Sequence, residues 1–146
     1  MSLRHAAIPV VAFLIAVGAL QPSHGKEIGR WSGQHAAVTA RRTIVATTSD
    51  DWQSLLALTG DATLEGKPFD TAHQTGIGIF LGRRNSGGYA VKIVSMSARD
   101  GKFVVQTDEQ KPGADQMTTQ SLTSPWVVLL IDRPALPVSI EPRVHP

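Results

Sequence analysis

Five consecutive apolar residues, Val127-Val128-Leu129-Leu130-Ile131, constrain the fold of this chain more than any other feature. A strand with one solvated face alternates apolar and polar residues, whereas a strand buried on both faces does not. Because this run has no polar position, it predicts a central strand that is covered on both sides. The rest of the chain must then supply neighbouring strands and at least one element that packs on the sheet.

Shorter runs of β-branched or alternating apolar residues predict the other strands. These runs are 43–47, 77–81, 89–98, 103–107 and 136–140. Arg99-Asp100-Gly101-Lys102 joins two of them and predicts a tight hairpin, because Asp-Gly tolerates the positive φ angles of a type I′ turn. The alternation of the first partner strand predicts two faces: Tyr89, Val91 and Ile93 on one, and Ala90, Lys92, Val94 and Met96 on the other.

One helix is predicted between the first two strands. Ser49 is the expected N-cap, Asp50 and Asp51 follow in the first turn, and Gly60 lies just past the end. A stripe at helical spacing should face the sheet: Trp52, Leu55, Leu56 and Thr59. The glycines that alternate with Ile77 and Ile79 are expected to leave room for this helix. The predicted fold is a single α+β domain with about six mostly antiparallel strands and one helix packed on the sheet.

The N-terminal residues predict export. A basic start at Arg4 precedes an apolar stretch, Ala6 to Leu20, and small residues follow at Ser23 and Gly25, which is the pattern of a secretory signal peptide. We therefore expect residues 1–25 to be a signal peptide, with an uncleaved N-terminal anchor as the alternative. Residues 26–42 are expected to be a loose arm and residues 43–141 the folded domain. After cleavage we expect no membrane association, in a periplasmic or extracellular bacterial location.

Composition narrows the function further. The absence of Cys excludes thiol catalysis, disulfides and cysteine metal sites. Loss of Arg4 with the signal peptide leaves one more basic residue than acidic residues. Arg41-Arg42 and Arg83-Arg84 are the only basic doublets, too few for a stripe that tracks phosphates, so nucleic acid is not an expected partner.

Catalytic and cofactor patterns are weak. No Ser lies in a nucleophile elbow, and His35, His73 and His145 lack metal-ligand spacing, so we expect no metal and no cofactor. Gly76 to Gly82 resembles a dinucleotide fingerprint, but its third glycine comes too late and the segment does not open a helix. An enzyme with a carboxylate or histidine centre remains an alternative; it would require Asp70, His73 or Asp108 to converge in a pocket.

Loop chemistry is the stronger signal. Three loop segments, 85–89, 111–113 and 124–126, combine glycine, proline, arginine and aromatic residues, which is typical of interface anchors. They predict a non-catalytic protein-binding surface. The expected contact residues are Arg83, Arg84, Asn85, Gly87, Gly88, Tyr89 and Trp126. The alternative for Tyr89 and Trp126 is that each begins its strand as a core residue.

The order of these motifs resembles the PrcB C-terminal domain family. The segments that carry the resemblance are Gly82 to Val91, the Asp-Gly hairpin, Lys111-Pro112-Gly113 and Leu122-Thr123-Ser124-Pro125. Trp52 with the leucines that follow it and Phe69-Asp70 match the upstream half of the family, so the resemblance spans roughly residues 43–141. Ser86 stands where the family commonly has Thr. The resemblance implies an accessory subunit that assembles or stabilises a secreted or envelope protease, and it brings no active-site residues.

A second resemblance is to chagasin-like inhibitors of papain-type cysteine proteases. Those inhibitors present an Asn-Pro-Thr-Thr-Gly-aromatic loop, a glycine-containing loop and an Arg-Pro-aromatic loop. Asn85 to Tyr89, the loop at Gly113 and Pro125-Trp126 are similar in kind and order. Here Pro and both Thr are missing from the first loop, and Ser124 replaces Arg in the third. This resemblance implies inhibition of a partner protease rather than its stabilisation.

Overall fold

The computed structural model describes residues 25–145, so the predicted signal peptide lies outside the described residues except for Gly25. In chain order the elements are β1 (Glu27–Gly33), β2 (Arg42–Ala46), α1 (Ser49–Leu58), β3 (Gln74–Phe80), β4 (Ala90–Arg99), β5 (Lys102–Gln110), β6 (Trp126–Asp132) and β7 (Val138–Pro142). A short 3₁₀ turn covers Ala62–Leu64. The α+β class with one helix is confirmed, but about six strands is wrong, because the described residues form seven.

The strands form two sheets rather than the single sheet that the sequence predicted. Sheet 1 has the order β1-β6-β3-β2 and is antiparallel throughout. Sheet 2 has the order β4-β5-β7, in which β4 and β5 are antiparallel and β5 and β7 are parallel. The expectation of mostly antiparallel pairing is therefore confirmed.

Sheet 1 separates two hydrophobic cores. Val127, Leu129 and Ile131 of β6 face sheet 2, while Val128 and Leu130 face α1. On the sheet 2 side they pack with Phe103 and Val105. The predicted central strand, buried on both faces, is confirmed.

Strand β1 corrects the prediction of a loose arm at residues 26–42. Glu27–Gly33 pairs with β6, so that Trp31 lies opposite Val128 and Gly33 lies opposite Trp126. A Cβ on Gly33 would lie 2.6 Å from the indole nitrogen of Trp126, and a Cβ on Gly29 would clash with the ring of Trp31. These glycines make room for tryptophan rings in a strand. The glycines alone therefore wrongly indicated a loose arm.

Helix α1 begins one residue earlier than its expected cap implied. The side chain of Thr48, not Ser49, accepts the capping hydrogen bond from the amide of Asp51 at 3.1 Å. Trp52 and Leu55 are buried against sheet 1. A Cβ on Gly76 would clash with the Trp52 ring, and one on Gly78 would lie 3.0 Å from Leu55, so the predicted role of these glycines is confirmed.

Strand β4 departs from strict alternation. Its register with β5 shifts between Ile93 and Ser95, which indicates a β-bulge at Val94. The bulge turns Met96 to the same side as Ile93, against the core between the sheets, and leaves Val94 41% exposed. The prediction that Met96 shares a face with Val94 is therefore wrong.

The hairpin between β4 and β5 has the predicted geometry. Asp100 has φ 52° and Gly101 has φ 74°, both in the left-handed region that a type I′ turn requires. Because β4 runs from Ala90 to Arg99, this hairpin and the β3–β4 connection lie at opposite ends of the strand.

Candidate functional site

Two loops meet at one end of the domain, which we call the loop end. They are the β3–β4 loop, residues 81–89, and the β5–β6 loop, residues 111–125. A backbone bridge joins them: the amide of Arg84 donates to the carbonyl of Thr123 at 2.8 Å, and the amide of Thr123 donates back at 2.9 Å. The amide of Gly87 also donates to the carbonyl of Thr119 at 3.0 Å.

Glycines allow this close approach. Gly88 has φ 88°, and a Cβ at this position would lie 2.7 Å from Cβ of Pro112 and 3.0 Å from Cγ2 of Thr118. A Cβ on Gly87 would lie 2.6 Å from the hydroxyl oxygen of Thr119. At Gly88, backbone conformation and lack of space therefore both favour glycine.

Arg84 supports the β3–β4 loop from within. Its guanidinium donates to Glu109 Oε1 at 2.9 Å and to the carbonyl of Leu81 at 3.0 Å. The same group lies 5.8 Å from the centre of the Tyr89 ring. The hydrogen bond from Arg84 lowers the pKa of Glu109, against the opposing effect of partial burial. Glu109 is therefore an anchor for the loop, ionised at neutral pH.

A third segment, residues 34–39, crosses the loop end. The amide of Ser124 donates to the carbonyl of Gln34 at 2.7 Å, and its hydroxyl donates to the carbonyl of Val38 at 2.7 Å. Arg83 is tied to the same segment, since its amide donates to the carbonyl of Thr39 at 2.9 Å. This segment lies within the predicted loose arm, and its part in the site was not predicted from the sequence.

A cleft of about 480 Å³ opens where the three segments meet. Gly87, Gly88 and Tyr89 line one side, and amide and hydroxyl side chains such as Gln110, Gln116 and Thr119 line another. Gln34 and His35 of the crossing segment complete it. No Lys, Arg, Asp or Glu lines this cleft among the described residues, so amide, hydroxyl and imidazole groups supply its hydrogen-bonding chemistry.

The predicted contact residues fall into three groups. Arg83, Asn85 and Gly88 are exposed, and Arg84, Gly87 and Tyr89 are half-buried. Trp126 is 3% exposed and belongs to the core under α1. The structure thus brings six of the seven predicted residues to the loop end and places the Trp126 ring where no partner can contact it.

Two exposed apolar residues of the β5–β6 loop escaped the sequence analysis. Met117 is 98% exposed and Leu122 is 57% exposed. The sequence signal that points to them is a large apolar residue in an otherwise polar loop. They add apolar area to the loop end.

Asp70 and Asp108, the carboxylates that the enzyme alternative requires, each pair with a different histidine. His73 Nδ1 lies 2.8 Å from Asp70, and His145 Nε2 lies 2.8 Å from Asp108. Hydrogen bonds from His73 and from His145 lower the pKa of Asp70 and of Asp108 respectively. Neither pair lines the cleft. Within residues 25–145 no three side chains of the types His, Cys, Asp and Glu group as a metal site, and no helix is long and apolar enough to cross a membrane.

Comparison with known proteins gives one match. The family model described as PrcB C-terminal matches residues 75–132, which include the β3–β4 loop, the hairpin and the β5–β6 loop. No curated protein and no solved structure matches the chain. The match confirms, over this part of the chain, the resemblance drawn from the sequence.

Proposed function

We propose that this protein is an exported, non-catalytic domain that binds another protein and serves as an accessory subunit of a secreted or envelope protease. The link to a protease complex comes from the PrcB C-terminal family match over residues 75–132. The signal-like residues 1–25 support export.

The observation that carries the proposal is the convergence of three chain segments at the loop end. Backbone hydrogen bonds hold the β3–β4 and β5–β6 loops together before any partner arrives. A surface ordered in this way loses less conformational entropy on binding than free loops would. It also presents Tyr89, Met117 and Leu122, which supply the apolar area that the centre of an interface needs.

The inhibitor alternative uses the same end of the domain but needs an aromatic wedge at Trp126. That ring is 3% exposed, and Ser124 is held by hydrogen bonds to the crossing segment. These two facts favour an accessory subunit over an inhibitor. The purified domain at micromolar concentration is therefore expected to leave the activity of papain unchanged, and concentration-dependent slowing of papain would instead favour inhibition.

Affinity capture tests the binding role. The chain from Lys26 onward, immobilised and exposed to the exported proteins of the source bacterium, should retain a protease identified by mass spectrometry. Gly88→Val should lose this protease, since the new side chain meets Pro112 and deforms the loop. Gly101→Val is the matched control, because Gly101 also has positive φ but a Cβ there meets no atom within 4 Å. Equal capture by both variants would contradict a role for the loop end.

Export has its own test. Mass spectrometry of the protein recovered outside the cytoplasm should give an N-terminus at Lys26, as expected for signal-peptide cleavage. Recovery of a membrane-bound form that begins at Met1 would favour the anchor, and recovery from the cytoplasm alone would contradict export.

A further inference from the structure

The two arginine doublets, far apart in the sequence, lie side by side in the fold. Arg42 begins β2 opposite Phe80, the last residue of β3, and the chain then turns into the β3–β4 loop at Gly82. A Cβ on Gly82 would lie 2.9 Å from the amide nitrogen of Arg41. The backbones of Arg41, Arg42, Arg83 and Arg84 thus lie close together, and we call these four residues the arginine patch.

Charge in the arginine patch is only partly neutralised. Arg84 lies 2.9 Å from Glu109 and Arg41 lies 3.4 Å from the same carboxylate. Within residues 25–145, Arg42 and Arg83 form no ion pair. One carboxylate thus pairs with two of the four arginines, and the patch keeps a surplus of positive charge although the domain as a whole is close to neutral.

The neighbouring residues Arg83 and Arg84 have different surroundings. Arg84 is half-buried, and its guanidinium is held by Glu109 and backbone carbonyls. Arg83 is exposed, while its backbone amide is fixed to the carbonyl of Thr39. The loop therefore holds the backbone of Arg83 in place and leaves its side chain available to a ligand.

A partly apolar groove lies beside Arg83. It has a volume of about 380 Å³ and is lined by residues 35–39 of the crossing segment, by Arg83 and by residues 122–124 of the β5–β6 loop. Leu122 is 57% exposed, and Ala36 and Ala37 add further aliphatic surface, whereas Val38 is buried in the core. A cation beside an aliphatic groove matches a ligand that carries a carboxylate next to an apolar side chain.

We propose that the arginine patch and this groove bind an acidic segment of the partner protein in which glutamate or aspartate alternates with aliphatic residues. This inference rests on the proposed protein-binding function and specifies the chemistry of its partner. Arg83 pairs with a carboxylate of the segment, and an aliphatic side chain of the segment packs on Leu122. Positive charge around Arg83 also speeds association with an acidic segment at low ionic strength.

A peptide of stated chemistry tests the pairing. The probe is a short fluorescein-labelled peptide of alternating glutamate and leucine, titrated with the chain from Lys26 onward and followed by fluorescence anisotropy. Arg83→Ala should weaken binding about fivefold, and Arg83→Glu should weaken it further. Lys102→Ala is the matched control, because it removes one positive charge at the hairpin, the opposite end of β4, and should leave binding unchanged. In ~0.5 M NaCl the difference between wild type and Arg83→Ala should shrink, since salt screens exposed charges.

Several outcomes would overturn the inference. One is equal binding of the same peptide with glutamine in place of glutamate. A second is that Arg83→Ala binds the peptide as tightly as wild type does. A third is that wild type binds an oligothymidylate, or vesicles that contain phosphatidylglycerol, more tightly than it binds the peptide. Affinity capture then separates this inference from the proposed function. If Arg83→Glu retains the protease as well as wild type does, the acidic-segment inference fails while the binding function stands. If wild type retains no protease, the proposed function itself fails.

Discussion

The two ends of strand β4 show how the same residue type serves different purposes. At the hairpin end, Asp100 and Gly101 make a tight turn, and a Cβ on Gly101 would meet no atom within 4 Å. At the loop end, Gly88 also has positive φ, but Pro112 and Thr118 fill the space where a side chain would lie. The hairpin requires only a backbone conformation, whereas the loop end also requires close packing between distant segments. The loop end is therefore an assembled surface, and its parts can be tested against the hairpin.

The largest expected loss of stability follows from removing the buried ring of Trp126. Trp126→Ala should lower the free energy of unfolding by about 3–5 kcal/mol, because it removes a ring buried in the core under α1. Chemical denaturation monitored by circular dichroism measures the change. Tyr89→Ala is the comparison, because removal of this half-buried ring should lower the free energy of unfolding much less. A small effect of Trp126→Ala, close to that of Tyr89→Ala, would contradict the assignment of Trp126 to the core.

The next largest loss of stability is expected from substitutions of Gly88 at the loop end and Gly101 at the hairpin. Gly88→Val should cost about 2–4 kcal/mol, from backbone strain together with the clash against Pro112. Gly101→Val should cost about 1–2 kcal/mol, from strain alone. The same denaturation experiment compares the two variants. If their costs are equal, the loop end is no more closely packed than the hairpin.

A smaller effect is expected at the ion pair that supports the β3–β4 loop. Glu109→Gln should cost about 1–2 kcal/mol at neutral pH, because the carboxylate is partly buried and charge-assisted hydrogen bonds are lost. The pKa of Glu109 is lowered in the folded state, so the pair contributes its full stability above the usual glutamate pKa of about 4.3. That contribution should be lost as the pH falls through the lowered folded pKa, and wild type and Glu109→Gln should then converge. A difference that persists unchanged at pH 2 would show that the carboxylate charge is not its source.

The smallest change in stability is expected at Arg83, the exposed neighbour of Arg84. Arg83→Ala should change the free energy of unfolding by no more than about 0.5 kcal/mol, since its side chain is exposed and forms no ion pair within residues 25–145. Thermal unfolding followed by circular dichroism is a sufficient measurement. A loss as large as that of Arg84→Ala would mean that Arg83 supports the fold instead of facing a partner.

Sequence reasoning succeeded where one local rule decides the structure. The uninterrupted apolar run at 127–131 specified a strand buried on both faces, and Asp100-Gly101 specified the hairpin. It failed where the structure depends on contacts between segments that are far apart in the sequence. Strand β1 depends on pairing with β6, and its glycines accommodate Trp31 and Trp126 from elsewhere in the fold.

The candidate site shows the same division. The composition of residues 83–89 was enough to predict an exposed loop, and the structure places that loop at the surface. It could not reveal that Gln34 to Thr39 crosses the same end, because those contacts are backbone hydrogen bonds to residues such as Ser124. Nor could the sequence show that the two arginine doublets lie near each other, because this depends on the contact of Gly82 with Arg41 and on the hydrogen bond from Arg83 to Thr39.

Hydrogen–deuterium exchange of the domain, alone and with its captured protease, tests the central claim most directly. We expect slower exchange on binding in residues 34–39, 81–89 and 111–125, because these segments form the loop end. The hairpin at Asp100 and Gly101 should exchange at the same rate in both states. Slower exchange at the hairpin, with the loop end unchanged, would contradict the account.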